Sequence, residues 1–478
     1  MRSAALVSVL VITAGLGCSL NPATNKPQLI LTSQGQEQEL GRKAAEEVEQ
    51  TFGYVDDATI ANYVSRVGQT VAAKAPEGQF QYQFRAVEMV EPNAFAIPGG
   101  FVYISVGLLA LTNSEAELAG ILGHEVGHVA ARHGTSQASA QAPLRIITGI
   151  GAAATGIVSS SLGDFVSGVG SATTDALFAP YGRDQEREAD ELGQRFMGGA
   201  GYNPAALSTV LDSLHQYAVQ NEQDDGPSFF SSHPATSERV ETTRVRAQEI
   251  SGSERASEKG RAAHLSKLNG LRLGEDPMHG VFLGTDFLQP AMGFTLRFPK
   301  GWKTANARDF VAARSDGALL VVTLAEGTDP MQAARAVEAQ DKVDLKLRSQ
   351  PIGGLAAARG EAVAEMEGRD AVLDVAWVAH GGVLYRVIGV SSVGNASDRT
   401  AVRRAIETFR PLTKSDRSRI RVERLRVVKT RGGETVASLA KRTGSRWSVR
   451  DLEVLNGVAS GARLPAGEAV KIVREERY

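Results

Sequence analysis

The sequence predicts a multidomain protein: a mainly α-helical (α+β) first domain, a second α+β domain and a small α/β module at the C-terminus. Three observations support this fold class. The chain of 478 residues is too long for one typical domain. Helical periodicity dominates the first half, whereas strand-like runs alternate with helices from about residue 276. A basic run at residues 414–424, predicted to be a linker, then precedes the last stretch, residues 425–478.

Composition and net charge narrow the class of protein. Apolar residues make up 42% and charged residues 22% of the chain, as in ordinary globular proteins. The formal net charge is −2, so the chain lacks the basic character of nucleic-acid-binding proteins. We therefore expect no nucleic-acid partner.

Residues 1–18 are predicted to be an export signal. Arg2 supplies a positive charge, and residues 4–16 form an apolar run that is short for a membrane span. The run ends just before Cys18, the single cysteine of the chain, so no intramolecular disulfide can form. We therefore expect the mature chain to act outside the cytoplasm.

The placement of Cys18 resembles the lipobox of bacterial lipoproteins, although Gly15 stands where a bulky apolar residue is usual. The alternative is an ordinary secretory signal with an incidental cysteine. We favour the lipoprotein, because an unpaired thiol is unusual in an oxidising compartment. Acylation of Cys18 would anchor the chain to a membrane. Ser19 after it implies the periplasmic side of the outer membrane, with residues 19–35 as a tether.

The strongest chemical signal is the HExxH pattern of His124, Glu125 and His128. On an α-helix, side chains four residues apart lie on one face, so two imidazoles at this spacing can occupy two corners of a tetrahedral zinc site. Glu125 would then lie beside the metal, where its carboxylate can take a proton from water. The alternative is a surface helix in which two histidines are paired by chance.

Local signals set the predicted ends of this helix. Ser114 and Glu117 have the spacing of a capping box at the N-terminus. The pair His133-Gly134 is typical of a C-terminal stop, and Arg132 just before it suits the helix dipole. These signals predict one helix that carries all three residues of the pattern.

The segments before this helix alternate between helix and strand. Residues 36–53 and 60–73 are predicted helices, and residues 80–90 a strand. Residues 91–106 are predicted to form a strand, a turn and a second strand. Such a strand could border the cleft and pair with an extended peptide. A purely structural hairpin is the alternative.

Residues 146–179 follow the helix, and 146–164 carry no charge before Asp164. Their length approaches that of a membrane span, but the side chains are mostly small. We favour a loosely packed helical lid over the cleft, ahead of a buried core helix and then of a transmembrane helix.

Two further segments contain candidate ligands. Glu186 and Asp190 lie four residues apart in a charged helical stretch and therefore share a face. One could bind zinc while the other orients a neighbouring ligand, although a charged helix is more often only solvated. His233 precedes Pro234, which predicts extended backbone and a side chain able to enter a cleft. A lone loop histidine is more often a surface residue.

Together these motifs resemble a known family. HEVGH, a downstream EREAD and then SSHPATSERV resemble the zinc metallopeptidases that include the CAAX prenyl endopeptidase, HtpX and BepA. Residues 93–100 and 107–109 are similar to the segment before the family's zinc-binding helix. The resemblance covers residues 22–270 and implies a gluzincin-type metallopeptidase domain, at 36–270, of the exported, BepA-like branch. The tetratricopeptide repeats of BepA are not evident in this sequence.

The resemblance implies a zinc site with a defined ligand set. His124 and His128 would be ligands, with Glu186 as the third ligand and Asp190 supporting them as a catalytic residue. Glu188 competes for the ligand role, but the family pattern places the ligand four residues before the aspartate. That spacing selects Glu186.

The resemblance assigns three further roles. Glu125 would be the catalytic base. His233 resembles a histidine that can reach zinc as a fourth, inhibitory ligand. Arg239 would help to stabilise the oxyanion.

The C-terminal half contains two further predicted units. In residues 276–413, strands are predicted at 294–298, 319–324, 371–380 and 383–390, and helices at 331–349 and 398–409. Its opening residues loosely resemble PsbP-like domains. No metal-ligand or nucleophile pattern stands out in its sequence, so we interpret it as a binding or scaffold module. Residues 425–478 resemble a LysM module, which implies binding to peptidoglycan. A small cap without a ligand is the alternative.

The function implied is that of a zinc-dependent endopeptidase of the bacterial cell envelope with one Zn²⁺ per chain. It would cleave misfolded or misassembled polypeptides by attack of zinc-activated water, with Glu125 as general base. The alternative is a chaperone-like or peptidoglycan-tethering lipoprotein whose zinc site is kept largely inactive by His233. The intact HExxH and ExxxD patterns favour catalysis.

Overall fold

The computed structural model describes residues 18–78, 80–139, 180–220, 229, 233, 236–250, 260–274, 276–341, 344–366 and 369–478. The predicted signal sequence before Cys18 and the predicted lid at 146–179 lie outside these residues. In the described part of the chain, no helix combines the length and the apolar character needed to cross a membrane.

The first described residues form a small hairpin within the predicted tether. β1 (Cys18–Leu20) pairs antiparallel with β2 (Pro27–Leu29). The Asn21 side chain closes the turn by accepting hydrogen bonds from the backbone NH groups of Ala23 and Thr24. Asn21 is buried, as is Ile30 just after the hairpin. These contacts, with that of the Leu31 backbone NH to Ser139, pack part of the segment predicted to be a tether (19–35) against the first domain.

Two predicted helices follow and are confirmed. α1 spans Gln34–Phe52 and begins with a capping box at Ser33. α2 spans Ala58–Ala72, and the Asp57 side chain caps its first turn. Its apolar face recurs at three- and four-residue intervals, which places it in the main hydrophobic core of the domain.

A three-stranded sheet with order β3-β5-β4 lies next along the chain. It consists of β3 (Gln83–Val87), β4 (Ala94–Ile97) and β5 (Phe101–Ser105). β5 runs parallel to β3 and antiparallel to β4, so the predicted strand-turn-strand unit is confirmed. Gly99 and Gly100 form its turn with φ of 89° and 96°, a conformation that favours glycine. β4 lies at the edge of this sheet.

The HExxH helix begins at the predicted N-cap but ends earlier than predicted. α3 (Val106–Leu111) leads into α4 (Glu115–Ala130). The Ser114 hydroxyl accepts a hydrogen bond from the backbone NH of Glu117, as predicted for a capping box. The Glu117 carboxylate, however, accepts from the backbone NH of Asn113 instead of that of Ser114. α4 ends at Ala130, before His133-Gly134, because Arg132 turns the chain with φ of 56°. Residues 133–139 are helical again.

Four further helices complete the first domain in the described residues. They are α5 (Arg183–Gly199), α6 (Ala205–Gln220), α7 (Ser237–Glu249) and α8 (Gly260–Leu268). α5 is the predicted charged helix. After α8, the short strand β6 (Arg272–Leu273) leads out of the domain.

The second domain is α+β, as predicted, and contains two antiparallel sheets. The smaller sheet comprises β7 (Val281–Leu283), β8 (Asp286–Gln289), β9 (Phe294–Arg297) and β17 (Arg410–Pro411). The larger sheet comprises β10 (Lys303–Asn306), β11 (Phe310–Arg314), β12 (Ala318–Ala325), β13 (Arg348–Ser349), β14 (Ala357–Met366), β15 (Arg369–His380) and β16 (Val383–Ser392). Its helices are α9 (Pro330–Asp341) and α10 (Ala396–Glu407).

Two predictions for this half were wrong. The helix expected at 331–349 ends at Asp341, because Arg348 and Ser349 pair with the edge of β14 instead. The linker expected at 414–424 contains α11 (Lys414–Arg419), which is stabilised by a capping box between Thr413 and Asp416.

The C-terminal module is a β-α-α-β unit. β18 (Arg421–Lys429) pairs antiparallel with β19 (Ala469–Arg477), and α12 (Val436–Thr443) and α13 (Val449–Asn456) lie between them in sequence. β6 extends the same sheet by pairing with β18, so the module shares its sheet with the end of the first domain.

A buried lysine joins this module to the first domain. The Lys471 ammonium donates hydrogen bonds of 2.7, 3.0 and 2.8 Å to the carbonyl oxygens of Ala110, Leu111 and Thr112. These carbonyl groups lie at the C-terminal end of α3, where no following helical turn supplies NH groups to bond them. Burial pulls the pKa of Lys471 well below its usual range, and the nearby Glu117 carboxylate opposes that shift. The hydrogen bonds of Lys471 thus hold the segment just before α4, which begins at Glu115.

His264 generates a prediction about acid stability. The ring is buried, with Nδ1 2.7 Å from the Tyr63 hydroxyl and Nε2 3.0 Å from Oγ1 of Thr112. Burial, followed by the Lys471 charge, lowers the pKa of His264 to about 3. Between this value and about 6.5, the unfolded chain binds a proton that the folded chain excludes. The free energy of unfolding should therefore fall as the pH falls through this range.

The measurement is urea unfolding of the wild type and of His264→Gln at pH 7.5, 6.0 and 5.0. We expect the wild type to lose up to about 1.4 kcal/mol per pH unit more than the variant below pH 6.5. Equal pH dependence of the two proteins would contradict a neutral, buried His264.

Candidate metal centre

The site is built by the close approach of α4 and α5, which glycine makes possible. A Cβ atom on Gly193 would lie 2.8 Å from the backbone nitrogen of His124, and one on Gly127 would lie 2.8 Å from the carbonyl oxygen of Ala189. Side chains at these positions would push the helices apart. Their absence lets the carboxylates of α5 reach the imidazoles of α4.

Four side chains converge where the helices meet: His124 and His128 from α4, Glu186 from α5, and His233 from the segment before α7. The Nε2 atoms of His124 and His128 are 3.1 Å apart, and Nδ1 of His233 lies 3.3 Å from Nε2 of His124. Oε1 of Glu186 lies 3.2 Å from Nε2 of His128 and 2.8 Å from Nδ1 of His233.

These distances fit a tetrahedral metal site. A tetrahedron with metal–ligand bonds of about 2.1 Å has edges of roughly 3.4 Å, and the contacts between donor atoms here run from 2.8 to 3.5 Å. All four residues are buried. Two or three imidazoles and one carboxylate form a donor set that zinc commonly accepts in proteins.

The charge balance also favours a cation. Glu125, Glu186 and Asp190 are all buried carboxylates, and Arg239 is the buried guanidinium that contacts two of them. When the three carboxylates are ionised, two negative charges are left without compensation by this arginine. Because isolated buried charges are costly, a divalent ion would stabilise the folded site.

Glu125 lies beside this cluster without a committed partner. It is fully buried, and neither carboxylate oxygen makes a hydrogen bond within the described residues. Its nearest charged neighbour is His233, whose Nε2 lies 3.7 Å from Oε1. Burial raises the pKa of Glu125, and the charges of His233 and His124 only partly oppose this. A carboxylate with a raised pKa in such a place is suited to proton transfer.

The supporting residues hold the ligands in their binding forms. Oδ1 of Asp190 lies 2.9 Å from Nδ1 of His124, which leaves Nε2 of that ring toward the cluster. Burial lowers the pKa of His128 well below its usual range and favours the neutral imidazole. Burial alone would raise the pKa of Glu186, but the charges of His233 and His124 outweigh it and hold the pKa well below its usual range.

Arg239 contacts the carboxylates rather than an open cleft. Its Nε and Nη2 atoms donate to Asp190 at 2.8 and 2.7 Å, and its Nη1 lies 2.6 Å from Oε2 of Glu186. These contacts favour a role in fixing the two acidic side chains. The oxyanion role implied by the sequence stays a prediction.

The structure brings together every site residue that the sequence implied. His233 lies in a bend, and its backbone NH donates to the carbonyl oxygen of Phe229 at 2.7 Å. Its imidazole enters the cluster, as the sequence predicted. Glu188, the competitor for the ligand role, lies instead against His133.

Sequence reasoning missed three aromatic side chains at the site. His133 has Nδ1 2.9 Å from Nδ1 of His128, although its sequence position indicated only a helix stop. Tyr181 stacks on His128 with ring centroids 4.0 Å apart, and Phe229 stacks on His233 at 4.8 Å. No spacing rule of the motif includes these residues: Tyr181 comes from a distant segment, and the contacts of His133 and Phe229 depend on how the chain bends near each of them.

This domain has the features of a metalloprotease. Its metal-ligand donor set is buried where α4 and α5 meet at Gly127 and Gly193, and the Glu125 carboxylate lies beside it without a hydrogen bond in the described residues. Residues 58–247 match the model of Peptidase family M48. The chain therefore contains, in these residues, a domain that matches Peptidase family M48, in line with the sequence motifs.

Three curated relatives are similar to this chain. The mitochondrial metalloendopeptidase OMA1 of Schizosaccharomyces pombe is 29% identical over 37% of this chain and 50% of its own. The beta-barrel assembly-enhancing protease of Escherichia coli K12 is 25% identical over 45% of each chain. The metalloprotease YcaL of the same organism is 32% identical over 32% of this chain and 58% of its own. The match spans about half the length of these relatives.

The glycine contact between α4 and α5 yields a prediction about metal binding. In Gly193→Ala, the added methyl group would meet the backbone of His124 at 2.8 Å and move Glu186 away from the histidines. We expect bound zinc, measured by elemental analysis after dialysis against a weak chelator, to fall well below that of the wild type.

Gly199→Ala is the matched control. Gly199 lies on the same helix, but a Cβ there would meet only the flexible side chain of Lys74, at an ordinary 3.5 Å. Equal zinc retention by Gly193→Ala and Gly199→Ala would show that the close helix contact does not set the metal site.

Proposed function

We propose that the protein is a zinc-dependent endopeptidase with one Zn²⁺ per chain. The single observation that carries the proposal is the position of Glu125. Its buried carboxylate, free of hydrogen bonds in the described residues, lies directly beside a donor set of metal-ligand geometry. Structural zinc sites are closed by four protein ligands and do not need such a group.

Each residue of the site has a role in this mechanism. His124, His128 and Glu186 would hold the ion, and Asp190 and Arg239 would keep these side chains in place. When bound, zinc lowers the pKa of water and polarises the scissile carbonyl. Glu125 would take the proton of the attacking water and deliver it to the leaving amine.

We propose that the substrate is an extended polypeptide lying along β4. In the described residues, β4 is an outer strand of the sheet, next to β5. The segment Ala96, Ile97 and Pro98 borders a small concavity that also contains His128 and Tyr181. A strand added to this edge would pass beside the metal ligands, with its backbone satisfied by sheet hydrogen bonds.

For the cellular setting, we propose a lipid-anchored protein on the periplasmic side of the outer membrane. Its substrates would be misfolded or misassembled envelope proteins. The lipobox-like sequence at Cys18 supports the anchor. The similarity to proteins named beta-barrel assembly-enhancing protease supports the class of substrate. The β-α-α-β module at the C-terminus, by its resemblance to LysM, adds peptidoglycan as a second partner.

A second function is favoured by His233. Its ring is completely buried, and its Nδ1 lies within 2.8 Å of Glu186, so it can take the fourth coordination position that a substrate water needs. In that state the protein would be a chaperone-like or peptidoglycan-tethering lipoprotein with a latched, largely inactive zinc site.

Glu125→Gln tests catalysis. The amide keeps the shape of the side chain but cannot accept the proton, so zinc should be retained while cleavage of unfolded casein falls by at least about 100-fold. The assay compares metal-loaded proteins, with and without chelator. Glu191→Gln, an exposed carboxylate on α5, is the matched control and should keep full activity. Peptidase activity in zinc-loaded Glu125→Gln would refute the assignment of the base.

His233→Ala tests the latch. If His233 occupies the fourth position, its removal should raise casein cleavage severalfold, while zinc is still held by the remaining three ligands. The measurement is the initial rate at saturating zinc, alongside the zinc content of each protein. An unchanged rate would show that the histidine does not close the site.

A further inference from the structure

One chain of contacts at the site is not used by the proposed mechanism. It runs from the ligand His128 through His133 to Glu188 on α5. Nδ1 of His128 lies 2.9 Å from Nδ1 of His133, and Nε2 of His133 lies 2.9 Å from Oε2 of Glu188. His133 is only 2% exposed, so both of its ring nitrogens are removed from solvent.

Metal binding to His128 would fix which ring nitrogen carries the proton in both His128 and His133. His128 directs Nε2 toward the other donor atoms, so that nitrogen must carry the lone pair and Nδ1 the proton. Nδ1 of His128 then donates to Nδ1 of His133. His133 in turn carries its proton on Nε2 and donates it to the Glu188 carboxylate. A single tautomer of each ring satisfies both hydrogen bonds.

Glu188 is itself held from the N-terminal hairpin. The Asn21 amide donates to Oε2 of Glu188 at 3.3 Å, and the Lys26 ammonium lies 3.1 Å from Oε1. The hairpin formed by β1 and β2 therefore lies against the far end of the chain of contacts. This gives the folded N-terminal segment a contact path to the metal site.

The turn at Arg132 sets the direction of His133. Arg132 has a φ of 56°, which non-glycine residues rarely adopt. Its guanidinium pairs with the buried Glu37 carboxylate of α1 at 2.5 Å and also donates to the carbonyl oxygen of Thr32 at 3.2 Å. The ion pair stabilises the turn that brings His133 back against the face of His128.

We propose that His133 is a positioning residue for the metal ligand His128, and that Glu188 positions His133 in turn. The arrangement parallels the contact between Asp190 and His124. Each zinc-binding histidine thus has its own support from α5, one direct and one through a second imidazole. Such outer hydrogen bonds fix the orientation of the ligand and increase its basicity. The inference rests on the proposed zinc site.

The test is the zinc affinity of metal-free proteins, measured by competition with a chromophoric chelator. His133→Phe keeps a flat ring but removes both hydrogen bonds, and we expect zinc binding about 10- to 100-fold weaker than in the wild type. Glu188→Ala should weaken it by roughly threefold to tenfold, since His133 remains. Glu191→Ala, the exposed neighbour on α5, should bind zinc as the wild type does.

A merely structural role is separated by a second measurement. The melting temperatures of the metal-free wild type and His133→Phe should agree within about 2 °C, whereas zinc should stabilise the variant less at equal concentration. If His133→Phe does not fold, His133→Gln replaces it, because its amide can restore one hydrogen bond and should recover part of the affinity.

The outcomes distinguish the two proposals. Zinc affinity of folded His133→Phe within twofold of the wild type would overturn the positioning role, whatever the activity. A wild type that binds zinc tightly but cleaves no polypeptide, even as His233→Ala, would overturn the endopeptidase proposal and leave the positioning role standing. A wild type without zinc affinity would refute both.

Discussion

The site depends on the contact between two helices that glycine allows to touch. Gly127 and Gly193 place the backbones of α4 and α5 so close that a single methyl group at either position would clash. The histidines of one helix can therefore meet the carboxylates of the other within hydrogen-bonding distance. A wider spacing would leave the same residues in sequence but without a common centre, because side-chain reach is limited to a few ångströms.

That proximity creates an electrostatic problem, and the fold offsets part of it. Three carboxylates lie buried within one cluster, and Arg239 pairs with two of them. The remaining negative charge matches a divalent cation, so metal binding and folding of this region should be coupled. Glu125 is the exception among the acidic groups, since it makes no hydrogen bond in the described residues. A buried carboxylate without hydrogen bonds destabilises the fold, so a catalytic role accounts for Glu125 better than a structural one.

Segments far from α4 and α5 in sequence also contact the region of the site. The N-terminal hairpin contacts Glu188, which lies against His133 behind the metal site. At the opposite end of α4, Lys471 of the C-terminal module donates to the last carbonyls of α3. Both ends of the helix that carries the HExxH pattern are thus held by distant parts of the chain. The modules that look separate in sequence share one packed framework around this helix.

Local sequence determined the elements that rest on periodicity and caps: α1, α2, α4 and α5 lie close to their predicted positions. The four-residue spacing of Glu186 and Asp190 placed both on one helix face, and the family resemblance then singled out Glu186 as the candidate ligand. These features follow from backbone hydrogen bonding within a few residues. Long-range packing decided the rest. The turn at Arg132 is stabilised by an ion pair with Glu37 on α1, and the ring of His233 lies against His124. His133 gained its place through contacts with Glu188 that no local pattern encodes, because they join residues separated by 55 positions in the chain.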